Sequence, residues 1–481
     1  MVNVHLLVGM TGDSSSFIMQ GIKALLQMSF RLDASPDSPR HLQIIDRIPT
    51  DIRTILNRFN LTPRSIIYTT CPRCSKLYDS NNYPDECNFY DVDGVNCGAS
   101  LSRQSVAGLV SIRRPIRRFA YQHVGAWLGR FLSRADIETL VDNPTNTFEL
   151  ETSDGVCRNM WCADFLREFT WRDGKGAADI PTGEGRLIFG MGTDYFNPYG
   201  NREAKKKWSV GAMFLVCLNL PMHLRYQIEN VCLVGIIPGP REPSMEEVNH
   251  FLRPLIDELL PMWEDGVWLS STANYPTGKK VYASLGPLVV DVVAARQAAG
   301  FSSHSSHLFC SFCLLPKSLI DNFDKATWSK YPRTVEEHRV QAQRWKDAKS
   351  SEERIAITDE FGVRYSEFLR LYYWNPIKRT MLDPMHLWLN LAIKHFREIW
   401  GMDATIEAGE GTFDQPRQPL SDAEKISAQQ TYDFGTKTAL KNLKIHQVEF
   451  LALSHNIRTG GRAKNLLIAD IQAQVSSSLI T

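Results

Sequence analysis

The sequence predicts an α/β protein with a mixed sheet in the middle of the chain, and two patterns predict it. Apolar runs typical of strands, bounded by turn-forming residues, occupy residues 186–193, 208–219, 230–237 and 285–290. Between the third and fourth runs, a capping box at residues 244–247 precedes apolar residues at helical spacing over 248–259. Pro254 lies inside this helical pattern, where it is expected to kink or break the helix. The predicted element order is β-β-β-α-β.

Two aspartates lie at the ends of predicted strands. Asp194 follows the first strand and Asp291 follows the fourth. This element order and these two positions are those of a ribonuclease-H-like nuclease core, in which adjacent strands bring carboxylates together to hold divalent metal ions. The alternative is that both aspartates are ordinary turn residues at strand ends, and the strand order makes this alternative less favourable without removing it.

Composition and charge exclude several classes of protein. The chain has 481 residues, of which 43% are hydrophobic and 22% charged, so it is not mainly disordered. The formal net charge of +1 means that any nucleic-acid binding must depend on local patches. No apolar run approaches the roughly 20 residues that span a membrane, and no basic segment precedes the N-terminal apolar stretch. We therefore expect neither a membrane nor a secretory signal.

The chain divides into six segments by composition. In order these are a helical region, a cysteine-rich putative zinc module, a second helical region, a sheet core with an insertion at about 300–375, a polar linker with Gly and Pro, and a small helical module. Their expected ranges are 1–65, 66–105, 106–180, 181–400, 401–435 and 436–478.

Four cysteines in the second segment suggest a metal site. Cys71-Pro-Arg-Cys74 has the spacing of a zinc knuckle, and Cys87 and Cys97 complete a set of four thiolates. In a chain without a secretion signal, such spacing favours metal binding or redox chemistry over disulfides. Because the Cys87–Cys97 half is not a knuckle, four reduced thiols without metal remain the alternative.

A second cysteine pair, Cys310 and Cys313, follows two histidines, His304 and His307. The short chain between the histidine and cysteine halves leaves little length to wrap four ligands around one ion. We therefore expect the cysteines to be half of a zinc site that is completed elsewhere. A redox pair is the rival interpretation, but it needs a helix that opens at the first cysteine, and this flank lacks one.

Basic residues form local clusters. One is the arginine-rich stretch 113–118, and another is Lys205-Lys206-Lys207, about a dozen residues past Asp194, where a phosphate backbone near a metal site would need neutralising. Residues 438–471 carry five Lys/Arg against two acids, including Arg462 and Lys464, in a helix–turn–helix pattern. That segment resembles a SAP-type DNA-binding module. Solvated charged faces and a plain helical hairpin are the respective alternatives.

Several motifs in one order resemble CACTA (En/Spm-type) transposases. The string Gly192-Thr-Asp-Tyr-Phe-Asn-Pro-Tyr-Gly200 resembles their "SDGFNPFG" signature. Later blocks resemble their "NLPP", "LIPGP", "LQPLIDEL", "LPYW" and "LDVMH" motifs, and these blocks begin at residues 219, 235, 252, 371 and 382. The resemblance covers roughly residues 60–400.

The resemblance implies a DDE/D transposase on a ribonuclease-H-like core, which cuts and joins DNA by two-metal phosphoryl transfer with Mg²⁺ or Mn²⁺. Asp194 and Asp291 carry over as the first two metal ligands. It further implies a nuclear location and a homo-oligomer. The spacing from Asp291 to Cys310 and Cys313 resembles that of the related V(D)J recombinase, in which a downstream histidine pair completes the zinc site.

The chain departs from the family at its C-terminal side. We find no block like "WxxPFER" with the third acid and no downstream histidine pair, so the resemblance is to a C-terminally truncated member. Asp383 is the in-chain substitute for the third acid, with Glu398 behind it, although Asp383 instead caps a helix in the alternative interpretation. His386 or His395 would complete the second zinc site. Two functions stay open: an active transposase, and a non-catalytic remnant that binds DNA or transposase.

Overall fold

The computed structural model describes residues 12–31, 39–58, 65–107, 110–143, 159–198, 208–400, 420–434, 437–455, 457, 459 and 464–478. It divides into two compact units, Met1–Asp383 and Pro384–Thr481, and each has a hydrophobic core of its own. None of the helices in the described part of the chain combines the length and apolar character needed to cross a bilayer.

Eleven strands are present in the described residues of the first unit. They are β1 Ser65–Thr70, β2 Leu77–Asp79, β3 Ser102–Ala107, β4 Val110–Pro115, β5 Arg118–Gln122, β6 Glu184–Phe196, β7 Val210–Cys217, β8 Val231–Ile237, β9 Val267–Leu269, β10 Lys279–Val290 and β11 Thr380–Leu382. Nine of these strands form one mixed sheet in the order β11-β10-β6-β7-β8-β5-β1-β2, with β9 paired to β10. Strands β3 and β4 form a separate two-stranded ribbon.

The helices of the first unit surround this sheet. They are Gly12–Arg31, Pro39–Arg47, Ile52–Arg58, Val124–Phe131, Ala135–Asp142, Asp164–Arg167, Met222–Arg225, Val248–Glu264, Val292–Ala299, Lys325–Trp328, Val335–Asp347, Ser351–Phe361 and Pro376–Arg379. The main core lies between the sheet and the helices, with Val248–Glu264 contributing a row of fully buried side chains.

The centre of the sheet joins antiparallel and parallel pairs. β6, β7 and β8 pair antiparallel, whereas β10 pairs parallel to β6 and β11 pairs parallel to β10. The carboxyl ends of β6, β10 and β11 therefore share one edge. A register shift between Leu285 and Leu288 interrupts the β10–β6 pair, at a point where a side chain on Gly286 would come within 2.9 Å of Ile188.

Three predicted strands match β7, β8 and β10 in position, but the ends of the strands differ from prediction. β10 begins at Lys279, earlier than expected, and β6 continues past Asp194 to Phe196. Asp194 therefore lies within a strand, where it pairs with Ala212 of β7, and does not follow it.

The helix Val248–Glu264 continues through Pro254, so the expected kink or break at this proline was wrong as far as the helix boundary is concerned. The capping box is present, because the Ser244 hydroxyl accepts from the Glu247 N–H at 3.2 Å and the Glu247 carboxylate accepts from the Ser244 N–H at 2.7 Å. Burial of one whole face of the helix outweighs the backbone hydrogen bond that Pro254 cannot make.

The region 106–180 was predicted as helical, and its first part is instead β-structure. β5 lies between β1 and β8 in the main sheet, and its alternating side chains Phe119 and Tyr121 are buried. Phe119 packs edge-on against Phe251, with 5.0 Å between ring centroids. The helices Val124–Phe131 and Ala135–Asp142 follow only after this strand.

The second unit has helical segments over Met385–Ile399, and helices Asp422–Phe434, Lys437–Asn442, Ile445–Ser454 and Lys464–Ser478. The helix Asp422–Phe434 corrects the predicted linker at 401–435 for these residues, because Ala428 and Tyr432 pack into the core of the unit. Leu467 lies in this core, while Leu466, which was expected there, is half exposed. A fourth packed helix is more than the expected helix–extended–helix module contains.

A buried ion cluster attaches the helix Ala135–Asp142 to the start of β10. Lys279 is fully buried, and its ammonium lies 3.2 Å from a Glu138 carboxylate oxygen and 2.5 Å from an Asp142 carboxylate oxygen. It also lies 4.5 Å from the centroid of the Tyr275 ring. Three charges without water are stable only as a complete set, since each neutralises its neighbours.

We expect Lys279→Ala to lower the free energy of unfolding by about 3–5 kcal/mol, because it leaves two carboxylates buried without their cation. Lys280→Ala is the matched control, since Lys280 is partly exposed and should cost less than about 1 kcal/mol. Urea unfolding followed by circular dichroism measures both. Equal losses for the two variants would show that the buried cluster contributes nothing beyond side-chain packing.

Candidate functional site

Asp194 and Asp291 lie at the same edge of the sheet. Leu288 of β10 pairs with Met191 of β6, and the two aspartates each come three residues further along their parallel chains. The register therefore carries both residues to the same level, beside each other on neighbouring strands.

Asp383 joins the same row. Val290 of β10 pairs with Leu382 of β11, and the next residues along the two chains are Asp291 and Asp383. The Asp383 N–H donates to the Val290 carbonyl at 2.9 Å, so the hydrogen bonding of the two strands continues up to this level. Three carboxylate-bearing positions thus follow three adjacent parallel strands in one row, which we call the aspartate row (Asp194, Asp291 and Asp383).

Close packing of aromatic rings fixes the backbone around Asp194. A side chain on Gly192 would lie 2.2 Å from the Phe214 ring, and one on Gly211 would lie 2.5 Å from the Tyr195 ring. Both positions therefore require glycine, for steric reasons. The Tyr195 hydroxyl is buried without a hydrogen-bond partner among the described residues. Burial, and then the negative charges of nearby carboxylates, raise the pKa of Tyr195. The carboxylate of Asp194 itself is exposed to solvent.

Asp291 has a structural role that the sequence interpretation had left as its alternative. It is the N-cap of the helix Val292–Ala299, and its Oδ1 accepts from the Val293 N–H at 2.7 Å and from the Ala294 N–H at 2.9 Å. These bonds fix the orientation of the carboxylate at the edge of the sheet. Both bonds end on one oxygen, so the cap and a metal ligand are compatible in a carboxylate with two oxygens.

The aspartate row does not gather its oxygens around one point. Among the described residues, only a cysteine cluster brings three or more ligand atoms of His, Cys, Asp or Glu within 4.8 Å of one another. The donor chemistry of the row, three carboxylates, fits a hard cation such as Mg²⁺ or Mn²⁺. The fold thus supplies the ligand types and a common edge.

The cysteine cluster is Cys71, Cys74, Cys87 and Cys97, the four residues that the sequence singled out. The sulfurs of Cys71 and Cys97 lie 3.6 Å apart, and those of Cys74 and Cys87 lie 3.5 Å apart. These distances are far longer than the roughly 2 Å of a disulfide, and they are close to the roughly 3.8 Å edge of a zinc–thiolate tetrahedron. The four sulfurs could therefore hold a metal ion.

The first half of this cluster has the backbone of a knuckle. The N–H groups of Arg73 and Cys74 point at the Cys71 sulfur at 3.4 and 3.5 Å, and Ser75 takes a positive φ of 62° to close the turn. A hydrogen bond from the Cys74 thiol, together with the two backbone N–H groups, lowers the pKa of Cys71 to about 5. A thiolate at neutral pH is the form that binds metal.

The second half, which sequence spacing could not classify, is a pair of short antiparallel segments. The Cys87 N–H donates to the Ala99 carbonyl at 2.8 Å, and the Cys97 N–H donates to the Phe89 carbonyl at 2.8 Å. The segments bring two cysteines that are ten residues apart in sequence to the same side. Tyr78 adds a hydrogen bond from its hydroxyl to the Cys87 sulfur at 3.2 Å.

Cys310 and Cys313 form a turn of similar kind but with two ligands. The Phe312 N–H points at the Cys310 sulfur at 3.4 Å, and Arg333 donates to the Cys310 carbonyl at 3.2 Å. Burial raises the pKa of Cys313. Exposed His304 and His307 do not join the pair in a group of ligands within the part of the chain that the structure covers.

Other proposed ligands lie on different elements. His386 and His395 belong to the helical segments of the second unit, and so does Glu398. The sequence interpretation did not single out His338, whose ring is buried with both nitrogens unbonded among described residues. Burial lowers the pKa of His338 to about 3, so it is a neutral core residue next to Phe301, with 4.9 Å between the ring centroids.

Most of the basic residues proposed to contact DNA lie outside the described residues, namely Lys205, Lys206, Lys207 and Arg462. Lys464 is described, and its ammonium donates to the Lys441 carbonyl at 2.6 Å, at the end of the helix Lys437–Asn442. It therefore has a structural contact inside the second unit.

Comparison with known proteins gives one match. None of the curated proteins compared with the chain matches it. Residues 170–358 match the family model Transposase_21, described as transposase family tnp2. The matched segment contains β6, β7, β8 and β10, and with them Asp194 and Asp291. This match supports a transposase family for the central part of the chain, and a transposase binds DNA.

Proposed function

We propose that this protein is a CACTA-type transposase of the DDE/D class, built on a ribonuclease-H-like core. The observation that carries the proposal is the aspartate row, which lies at the shared carboxyl edge of β6, β10 and β11. Two of its three members lie inside the segment that matches the transposase family.

The topology supports the ribonuclease-H-like assignment. Three antiparallel strands, β6 to β8, are followed by a helix and then by β10, which adds parallel to β6 on its other side. This arrangement places the first strand of the unit in the centre, next to the fourth, as the assignment requires. The remaining strands, β5, β1 and β2, extend the sheet beyond β8.

In this function Asp194, Asp291 and Asp383 would hold the divalent ions. Bound Mg²⁺ or Mn²⁺ would activate water or a 3′-hydroxyl and stabilise the leaving oxygen of the phosphodiester. The chain itself contributes the position of the carboxylates. β6 carries an exposed Asp194 to the edge, and the cap bonds hold the Asp291 carboxylate in one orientation. A nuclear location and a homo-oligomer are what this function implies.

The second candidate is a protein that binds DNA or transposase without cutting. The observation in its favour is that the carboxylates of the row share an edge without converging, while Asp291 already has a structural role as an N-cap. The two candidates differ in whether the row supports catalysis, which substitutions at its members can decide.

We expect Asp194→Asn and Asp291→Asn each to reduce Mn²⁺-dependent nicking of a supercoiled plasmid by about 100-fold or more, because each removes a charged metal ligand. Asn is as good an N-cap as Asp, so Asp291→Asn should leave the melting temperature unchanged. Asp291→Ala should lose nicking and also about 1 kcal/mol of stability.

Asp321→Asn is the matched control, since Asp321 is exposed and lies away from the row. It should nick like the wild type. If Asp291→Asn retains full nicking while Asp291→Ala is only less stable, Asp291 is a helix cap and not a metal ligand. A wild type that binds the plasmid but never nicks it supports the non-catalytic candidate.

We also propose that the cysteine cluster binds one structural Zn²⁺. Four thiols at tetrahedral spacing, a knuckle turn and a lowered pKa for Cys71 support this assignment. Cys310 and Cys313 would form half of a second zinc site, with further ligands still to be identified.

We expect Cys71→Ser/Cys74→Ser to lose one zinc ion per chain, because it removes the knuckle half of the cluster. Inductively coupled plasma mass spectrometry of the purified protein measures the metal. Cys232→Ala is the control, since Cys232 is buried in the main core and should keep the full metal content. Wild-type protein that is folded but zinc-free would contradict both zinc assignments.

A further inference from the structure

The β3–β4 ribbon stands apart from the main sheet and carries arginines on both of its faces. It connects the cysteine cluster to β5, and its register pairs Arg103 with Arg114 and Gln104 with Arg113. Successive cross-strand pairs point to opposite faces of a ribbon. The two pairs therefore belong to different surfaces.

The face that carries Arg113 packs against the cysteine-rich segment. The Arg113 guanidinium lies 4.1 Å from the centroid of the Tyr83 ring and donates to the Tyr83 carbonyl at 3.1 Å. It also pairs with Asp85 at 3.0 Å. Arg113 is thus a structural residue that holds the ribbon in place.

The other face, which we call the outer face, carries Arg103 and Arg114 directly opposite each other. Both side chains are exposed, and neither makes a hydrogen bond or ion pair with any residue that the structure describes. The next pair on this face, Ser105 with Ile112, is uncharged, and Ile112 is 39% exposed. Two like charges directly opposite each other destabilise a strand pair, so the ribbon keeps a repulsion that folding alone does not require.

The arginine-rich stretch 113–118 therefore separates into two groups. Arg117 is buried, and it donates to the carbonyls of Pro72 and Pro238, where it links the knuckle to the loop after β8. Like Arg113, it serves the fold. Arg114 is exposed on the ribbon, and Arg118 is exposed on β5.

We propose that the outer face of the β3–β4 ribbon binds the phosphate backbone of duplex DNA through Arg103 and Arg114. This inference rests on the proposed function for the nature of the partner. An arginine fork matches phosphate oxygens in geometry as well as charge. A two-stranded ribbon also has the dimensions that a major groove admits. A phosphate would relieve the repulsion between the two guanidinium groups, which gives the exposed pair a favourable partner.

The test is fluorescence anisotropy of a labelled 30-base-pair random-sequence duplex, titrated with the full chain at several salt concentrations. We expect Arg103→Gln/Arg114→Gln to weaken binding by on the order of 10- to 100-fold near 0.1 M salt. The slope of log K against log salt should become shallower by about 2, because two phosphate contacts are lost.

Lys325→Gln/Lys330→Gln is the matched control, since it removes two exposed positive charges from another part of the same unit. It should leave both the affinity and the salt slope unchanged. If the two double variants bind alike, the ribbon is not the contact surface, and the proposed function is unaffected. If the wild type binds no duplex, the proposed function fails, and the ribbon loses its partner with it.

Thermal unfolding without DNA supplies a second readout. Removal of the opposed charges should leave the melting temperature of Arg103→Gln/Arg114→Gln equal to or slightly above that of the wild type. A lower melting temperature would mean that the arginines stabilise the fold, and it would contradict the interpretation of the pair as a binding surface.

Discussion

The parallel pairing of β10 with β6 is the interaction on which the rest of the first unit depends. It closes the core, because both strands are buried over most of their length beneath the helix Val248–Glu264. It also decides where Asp194 and Asp291 lie, since a shift of one residue would move every side chain of β10 to the opposite face. The irregularity between Leu285 and Leu288 sets this register, and Trp374 fixes it with an indole N–H bond to the Gly286 carbonyl at 2.8 Å.

The sequence could predict the parts of this core that depend on local pattern. Apolar runs locate β7, β8 and β10, and the capping box locates the start of the long helix. It could not predict β5, because that strand is short and its partners β1 and β8 are remote in sequence. Nor could it show that Pro254 is tolerated, since this depends on how much apolar surface the surrounding helix buries.

The candidate sites show the same division. Spacing alone suggests a knuckle at Cys71 and Cys74, but only the folded chain shows how Cys87 and Cys97 come beside them. For the arginines of 113–118, the sequence shows one continuous charged run. The structure distinguishes Arg113 and Arg117, which bond to backbone carbonyls, from Arg114, which does not. A run of charge does not reveal which of its members the fold already uses.

The position of the cysteine cluster between β1 and β5 has a thermodynamic consequence. These two strands pair directly, yet the 47 residues from 71 to 117 separate them along the chain. Closing a flexible loop of that length costs about 3 kcal/mol of chain entropy. A metal ion held by four cysteines inside the loop would shorten the freely moving chain, much as a disulfide cross-link does. Because a metal–thiolate link needs reduced cysteines, it can supply this constraint in a compartment where disulfides do not persist.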